Sequence, residues 1–266
     1  MLFATVGDNT IDEYVGTLSR SYVGGNALNV AVDLARAGNA CRYAGAVGPD
    51  RAGERVRAAL AAQGVRTDGL VVLPGHTSVS RIRVDATGDR FFEYEDFAVC
   101  AEYRPDEDEL ERLGRCGTVH IGMLPAESAA LVRRTLAGRG VLLSQDCAVT
   151  EGFDGLGIAF CSAGEDMARA RLLAEQAVAG GAALAVVTCG AAGSIGHDGH
   201  SWWQVPALPA NVVDTTGAGD SYIAGFLAAR AAGADVTQAM RAGSRTAAQT
   251  CAHEGAWPQE TVPVAG

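Results

Sequence analysis

The sequence predicts an α/β fold in which helices cover both faces of a mostly parallel sheet. Short apolar runs alternate with amphipathic stretches along almost the whole chain, which is typical of consecutive β-α-β units. Apolar residues make up 48% of the 266 residues, and neither an internal repeat nor a low-complexity linker divides them. We therefore expect one domain over residues 1–266 with a sizeable core.

Seven short apolar runs are predicted to be strands. They are Leu2–Val6, Arg42–Val47, Thr118–Ile121, Val141–Gln145, Ile158–Cys161, Leu184–Thr188 and Ser194–His197. Seven helices are predicted from the amphipathic stretches, and they begin near Gly25, Asp50, Asp106, Ala126, Glu165, Gly217 and Asp235. In the first helix the apolar residues recur every three or four positions, as on a core-facing surface, until Gly38 ends it.

Residues 77–97 interrupt this alternation and are predicted to form a β-hairpin. Small or apolar residues alternate with charged ones from Ser80 to Asp85, and the Ala-Thr-Gly-Asp sequence at 86–89 suits a turn. Such a hairpin is either an extension at the sheet edge or a lid over a ligand pocket. We favour the lid.

Charge and composition exclude several classes of protein. The formal net charge of −10 disfavours a nucleic-acid partner, because phosphate backbones bind basic surfaces. No apolar run approaches the roughly 18 to 20 residues of a membrane span, and residues 1–8 lack the features of a signal peptide. We expect a cytoplasmic protein without a membrane partner. The seven cysteines are scattered singly and are expected to be reduced.

The absence of lysine is more informative. All 21 basic Lys and Arg residues are arginine. A P-loop, a protein-kinase strand lysine and a Schiff base all require lysine, so none of these mechanisms can operate.

The segment Asp214-Thr215-Thr216-Gly217-Ala218-Gly219-Asp220-Ser221 is a small-residue loop that opens into a helix. Glycines allow close approach of a ligand, and the free amides of a first helical turn bind anions. Asp220 would lie beside that anion site, where its carboxylate could accept a proton from an attacking hydroxyl. The alternative is an ordinary helix start with an aspartate that complements the dipole.

This segment resembles the C-terminal signature DTxGAGDxFxAGF of the ribokinase/PfkB family of sugar kinases. A second stretch, Gly24-Gly25-Asn26-Ala27-Leu28-Asn29-Val30-Ala31, resembles the family's N-terminal signature, and Gly45-Ala46-Val47-Gly48-Pro49-Asp50 continues it. The resemblance extends from about residue 3 to residue 257. It implies a ribokinase-like three-layer αβα sandwich with a mostly parallel central sheet and a small β lid, and an ATP-dependent transfer of phosphate to a sugar hydroxyl.

The resemblance also implies roles for individual residues. Asp220 would be the catalytic base, beside an anion hole made by Gly217, Ala218 and Gly219. Substrate binding would fall to Asp8, Asp12, Gly24, Gly25, Asn26, Asn29 and Arg90. ATP binding would fall to Thr188, Gly190, Gly193, Thr215, Gly217, Gly219, Ala247 and Thr250.

Mg²⁺ would be near Glu165, although Ser162 replaces the asparagine of the family's N-x-x-E element. Asp146, at a strand end, is either a further phosphate-side or metal-side group or a local cap. A monovalent cation such as K⁺ is a further candidate cofactor, and a homodimer formed through the β lid is expected.

Within the family, Gly7-Asp8-Asn9, Val119-His120-Ile121 and the ending His253-Glu254-Gly255-Ala256-Trp257 resemble fructoselysine 6-kinases rather than ribokinases. Their substrate carries an ammonium group, whose charge Asp8, Glu93, Glu95 and Asp96 could balance. The alternative is that these acids only form a solvated surface.

Three other functions stay open. The first is a family kinase for fructose, ribose, a ketodeoxy acid or a nucleoside; the second is a dinucleotide-dependent oxidoreductase; the third is a non-catalytic sugar sensor. The oxidoreductase is disfavoured because no GxGxxG follows the first strand.

Overall fold

The computed structural model describes residues 1–17, 19–85 and 90–264, and this part of the chain contains two sheets. The larger one consists of β1 (Leu2–Val6), β4 (Ala40–Val47), β5 (Arg66–Val72), β8 (Thr118–Ile121), β9 (Leu142–Asp146), β10 (Ile158–Ser162), β11 (Ala185–Thr188), β12 (Ser194–His197) and β13 (Trp202–Val205). Their order is β13-β12-β11-β10-β9-β8-β1-β4-β5. Only the pairings of β12 with β11 and with β13 are antiparallel, so the prediction of a mostly parallel sheet is confirmed.

Helices cover both faces of this sheet. One face carries α1 (Asn26–Arg36), α2 (Arg51–Ala62), α6 (Ala218–Ala231) and α7 (Val236–Thr250), and the other carries α3 (Glu107–Leu113), α4 (Ala126–Leu136) and α5 (Met167–Ala179). Successive strand residues point to opposite cores: Phe3 packs with the first set of helices and Ala4 with the second. The three-layer αβα prediction is therefore confirmed.

The predicted helix starts agree with the structure because most are encoded locally. Asp50, Asp106 and Asp235 each accept a hydrogen bond from a backbone amide three residues ahead, which is the geometry of an N-cap. The helix predicted from Glu165 is capped one residue later, by Asp166.

The smaller sheet consists of β2 (Thr10–Gly16), β3 (Arg20–Gly24), β6 (Val79–Val84), β7 (Arg90–Asp96) and the short β14 (Val262–Pro263), in the order β14-β3-β2-β6-β7. The predicted hairpin is thus present as β6 and β7, while its proposed turn at 86–89 and the side chain of Arg90 lie outside the described residues. Buried Tyr14, Tyr22, Ile82 and Val84 form a small apolar cluster on one side of this sheet. None of the helices in the described ranges has the length and apolarity needed to cross a bilayer.

Candidate active site

Loops at the carboxyl edge of the larger sheet bring the two signature segments together. The first loop, Gly7 to Asn9, follows β1, and Asp146 ends β9 two strands away. The N-terminus of α1 lies beside them, since the backbone amide of Asn26 donates to Asp8. Parallel sheets bind ligands at this edge, where the loops after the strands converge.

Asp220 lies in the first turn of α6 and is held by two asparagines of α1. Its Oδ1 accepts a hydrogen bond from Asn26 Nδ2 at 2.6 Å, and its Oδ2 accepts one from Asn29 Nδ2 at 2.7 Å. The residue is only 8% exposed. Nearly 200 residues of sequence separate these partners, so the contact joins the N-terminal and C-terminal signatures into one site.

The surroundings of Asp220 raise the proton affinity of its carboxylate. Burial is the main cause that raises its pKa well above 3.8, and the negative charges of Asp146, Asp8 and Asp33 raise it further. The hydrogen bond from Asn29 acts in the opposite direction. Because proton affinity rises with pKa, the ionised carboxylate is a stronger base here than an aspartate in water.

Asp146 shares a donor with Asp220. Asn26 Nδ2 donates to Asp146 Oδ2 at 2.8 Å as well as to Asp220, and the other Asp146 oxygen accepts from the Ala148 amide at 2.9 Å. Burial raises the pKa of Asp146 too. One asparagine amide therefore fixes the separation of two buried carboxylates.

The amide oxygens of Asn26 and Asn29 complete this region. Both are buried, and neither has a hydrogen-bond partner in the described part of the chain. A buried acceptor without a partner is costly, so both oxygens are unsatisfied acceptors close to the Asp220 carboxylate.

The loop before α6 is held in place by Asp214. Its carboxylate accepts hydrogen bonds from the Thr216 amide at 2.9 Å, the Gly255 amide at 3.0 Å and the Tyr14 hydroxyl at 2.9 Å. Burial opposes ionisation of Asp214, but hydrogen bonds from Thr216, Gly255 and Tyr14 outweigh it and lower the pKa. Tyr14 belongs to β2, so the smaller sheet is bonded directly to the loop.

This loop presents free amides at the helix N-terminus. Gly217 adopts φ 74° as the N-cap, the Ala218 amide donates to Thr215 O at 3.1 Å, and the Ser221 amide donates to Gly217 O at 2.9 Å. Within the described residues, no acceptor is found for the amides of Gly217, Gly219 and Asp220. A Cβ added at Gly219 would meet no atom within 4 Å, so space is open there for an anion.

Asp12 and Gly24, which are predicted to bind the sugar, lie against each other on adjacent strands. Asp12 on β2 is 7% exposed, and its carboxylate forms no hydrogen bond or ion pair to another described residue. A Cβ at Gly24, on the adjacent β3, would overlap Asp12 Oδ2, so glycine there leaves the Asp12 carboxylate in its position. Burial, followed by the charges of Asp8, Glu95 and Asp214, raises the pKa of Asp12 to about 7.

Asp8 has a different environment from Asp12. Its two oxygens accept hydrogen bonds from the backbone amides of Asn26 at 2.9 Å and Ala27 at 3.0 Å, and burial raises its pKa to about 6. Gly25 is the N-cap residue of α1 and has no side chain to accept these bonds. Asp8 therefore caps α1, the helix that carries the two asparagines that hold Asp220.

The predicted nucleotide-side residues form a second group. Thr188 ends β11 and pairs with Ser162 at the end of β10, so the turns after these two strands adjoin. Gly190 and Gly193 bound the turn after β11, and a Cβ at Gly190 would lie 3.3 Å from Glu165 Cγ. Glu165 and Thr215 are exposed.

The two predicted contacts on α7 are packed more tightly. Ala247 packs against the apolar core between the larger sheet and the helices α1, α2, α6 and α7. The hydroxyl of Thr250 lies 2.6 Å from Ser221 Oγ, which donates to Asp33 at 2.5 Å. Sequence reasoning missed Asp33, although it follows Asn29 by four positions and therefore lies on the same face of α1.

Magnesium fits this second group through Glu165. Mg²⁺ prefers oxygen ligands and is commonly held by one or two carboxylates together with phosphate oxygens and water. The carboxylate of Glu165 is exposed beside the Gly190 turn, so its chemistry and accessibility fit such a ligand. Within the described residues, no group of three or more His, Cys, Asp or Glu side chains is arranged to hold a metal ion.

Comparison with solved structures defines the class of fold. The structure of Arabidopsis thaliana ribokinase complexed with ribose and ATP superposes with a TM-score of 0.86, covering 95% of this chain and 93% of that one at 21% identity. The model of the pfkB family carbohydrate kinases matches residues 12–137 and 152–261. The chain belongs to the PfkB family of carbohydrate kinases, and it is a sugar kinase that transfers phosphate to a hydroxyl group.

Among characterised proteins, the sequence is similar to kinases that act on glycated amines. Fructoselysine 6-kinase of Shigella flexneri is 34% identical over 263 residues, which covers 96% of this chain and 98% of that protein. Fructosamine kinase FrlD of Bacillus subtilis is 32% identical over 281 residues, covering 97% of this chain and 93% of its own length.

Proposed function

We propose that this kinase uses ATP to phosphorylate the 6-hydroxyl of a glycated amino acid, with fructoselysine as the preferred acceptor. The observation that carries the phosphotransfer is the juxtaposition of the Asp220 carboxylate with the free amides of Gly217 and Gly219. The names of the relatives from Shigella flexneri and Bacillus subtilis support the choice of acceptor.

The sugar is held by the groups that lack partners. Asp12 accepts hydrogen bonds from sugar hydroxyls, and the amide oxygens of Asn26 and Asn29 accept others. A site that satisfies buried acceptors with substrate hydroxyls discriminates strongly against analogues that lack them. Gly24 and Gly25 keep the backbone close enough for these contacts.

The reaction is an in-line transfer. The acceptor oxygen forms a bond to the γ-phosphorus as the bond from phosphorus to the ADP oxygen breaks, and the hydroxyl proton passes to Asp220. The free amides of Gly217 and Gly219 surround the transferring phosphoryl group at the positive end of α6, so developing negative charge is stabilised. The prediction that the Ala218 amide joins them is wrong, because that amide already donates to Thr215 O. Positioning and charge stabilisation account for most of the catalysis in such transfers.

ATP is placed over the turn from Thr188 to Gly193, with Thr215, Ala247 and Thr250 as additional predicted contacts. Glu165 would hold Mg²⁺ on this side, directly or through water, and the bound ion would neutralise phosphate charge. The serine at 162 occupies an exposed position beside it.

Five further predictions belong to this proposal. The whole chain acts as one kinase domain, and β6 and β7 act as a lid over the sugar. The reaction takes place in the cytoplasm. A requirement for K⁺ would appear as lower turnover when Na⁺ replaces it. Dimerisation through the lid would be measured by light scattering, and exposed Phe91 and Tyr94 on β7 supply apolar surface for it.

The test is an ATP-consumption screen over fructoselysine, related glycated amines, hexoses, pentoses and nucleosides, with Asp220→Asn as the inactive control. We expect the highest kcat/KM for fructoselysine. A higher kcat/KM for ribose, fructose or a nucleoside would refute the proposed acceptor and retain the sugar kinase. No acceptor-dependent ADP formation with any compound would count against a catalytic role.

A further inference from the structure

Three polar residues form a transverse row on one face of the smaller sheet. Asp12 on β2 is paired with Ser80 on β6, and Ser80 is paired with Glu95 on β7. Directly paired residues on neighbouring strands project from the same face. Since strands lie about 4.8 Å apart, the Cα atoms of Asp12 and Glu95 are roughly 10 Å apart.

The electrostatics agree with this placement of Glu95. Its negative charge is one of the causes that raise the pKa of Asp12, after burial and the charge of Asp8. The two carboxylates are therefore within electrostatic reach across Ser80. Asp12 itself is 7% exposed and has no partner among the described residues, which marks this row as a place for a ligand.

The other acids that the sequence offered for an ammonium group are already engaged. Glu93 forms an ion pair with Arg83. Asp96 accepts hydrogen bonds from the Tyr94 hydroxyl at 3.0 Å and the Ala98 amide at 2.9 Å, and it also contacts His76. Asp8 caps α1 through the amides of Asn26 and Ala27.

Glu95 differs from these acids. It forms no hydrogen bond or ion pair with any other residue that the structure describes. Glu93 and Asp96 on the same strand are bonded to other residues, so of the three acids on β7 that could oppose an ammonium group, Glu95 is the one available to a ligand cation. The nearby Arg81 is engaged on the opposite face, where its guanidinium lies 2.9 Å from Glu13.

We propose that Glu95 determines specificity by binding the protonated amine of the acceptor, while Asp12 binds hydroxyls of the same molecule. The assignment rests on the proposed function, because it requires an acceptor whose sugar carries a cationic nitrogen. A span of roughly 10 Å between the two strands accommodates a sugar ring at Asp12 and an amine substituent at Glu95. An ammonium paired with a carboxylate outside the deepest part of the site supplies discrimination rather than catalysis.

The test compares two acceptors that differ only in the group at one position, a protonated amine or a neutral ether. One is 1-butylamino-1-deoxyfructose, whose nitrogen is protonated at neutral pH, and the other is 1-butoxy-1-deoxyfructose, in which an ether oxygen replaces that nitrogen. The kcat/KM ratio of amine to ether is measured for the intact enzyme, for Glu95→Gln and for Glu93→Gln. Glu93→Gln is the matched control, since it removes the same charge from the same strand at a residue that is paired with Arg83.

We expect Glu95→Gln to lower the amine-to-ether ratio about tenfold, the loss associated with one charge-assisted contact of about 1.4 kcal/mol. Glu93→Gln should leave the ratio within about twofold of the unmodified enzyme. An unchanged ratio in Glu95→Gln, or equal losses in both variants, would overturn the assignment and leave the proposed function intact. An unmodified enzyme that phosphorylates hexoses but no glycated amine would refute the proposed function and the assignment together.

Discussion

Replacing Asp12 by asparagine should make the ligand-free enzyme more stable at pH 8 while impairing sugar binding. The carboxylate is buried without a partner, and burial is the main cause that raises its pKa from 3.8 to about 7. As pH rises from about 4, the unfolded chain loses this proton first, so folding stability falls until the pH passes 7. At 1.36 kcal/mol per pH unit, the full effect is roughly 4 kcal/mol.

The measurement is urea unfolding of the unmodified enzyme and of Asp12→Asn at several pH values between 4 and 8. The two free energies of unfolding should be similar at pH 4. By pH 8 the unmodified enzyme should have lost stability, so that the variant is more stable than it by up to about 4 kcal/mol. Glu13→Gln removes the same charge from the next residue of β2, on the opposite face, and is the matched control. Parallel pH curves for Asp12→Asn and the unmodified enzyme would refute the buried, unpartnered state of Asp12.

The same variant has a functional counterpart. If Asp12 accepts hydrogen bonds from sugar hydroxyls, its neutral replacement loses charge-assisted contacts of about 1.5–3 kcal/mol. The KM for the sugar should therefore rise by about ten- to a hundredfold. The KM for ATP should change little.

Asp146→Asn should move the acid limb of the pH–rate profile to lower pH, because removing the Asp146 charge lowers the pKa of Asp220; an unmoved limb would separate the two carboxylates functionally. Gly219→Ala should fold normally, since its Cβ meets no atom within 4 Å, but the methyl group should lower kcat by obstructing the anion site. Gly217→Ala should instead destabilise the fold by about 1–3 kcal/mol, because φ is 74° and the Cβ would lie 2.5 Å from that of Ala256. Equal thermal stability of the two glycine variants would contradict this distinction.

Much of the fold could be predicted because its signals are local. Asp50, Asp106 and Asp235 cap helices through hydrogen bonds from amides three residues ahead, and these bonds do not depend on tertiary contacts. The strands of the larger sheet are apolar runs, since both of their faces are buried. The hairpin strands β6 and β7 could be predicted because small or apolar residues alternate with charged ones.

The smaller sheet was harder to predict, because β2 and β3 face the site with polar residues. Thr10 to Gly16 contains Asp12 and Glu13 side by side, which breaks the expected alternation of apolar and polar residues. The strands β5 and β13 were also missed. Each lies at an edge of the larger sheet, where the residues are largely exposed.

The candidate site shows the same division. Motifs identified Asp220, Asn26 and Asn29, and the structure brings these three residues together. No motif could tell that Asp8 and Glu93 are engaged while Glu95 has no partner among the described residues. That difference depends on tertiary contacts: the amides of Asn26 and Ala27 bind Asp8, and the guanidinium of Arg83 binds Glu93.

The most direct test of the central claim is the turnover of Asp220→Asn. Sugar binding should be nearly unchanged, because asparagine has the same shape and the hydroxyl contacts of Asp12 remain. The kcat should fall by a factor on the order of 10² or more, because no carboxylate is left to accept the hydroxyl proton. A variant that binds the sugar normally and retains near-normal kcat would contradict the assignment of Asp220 as the catalytic base.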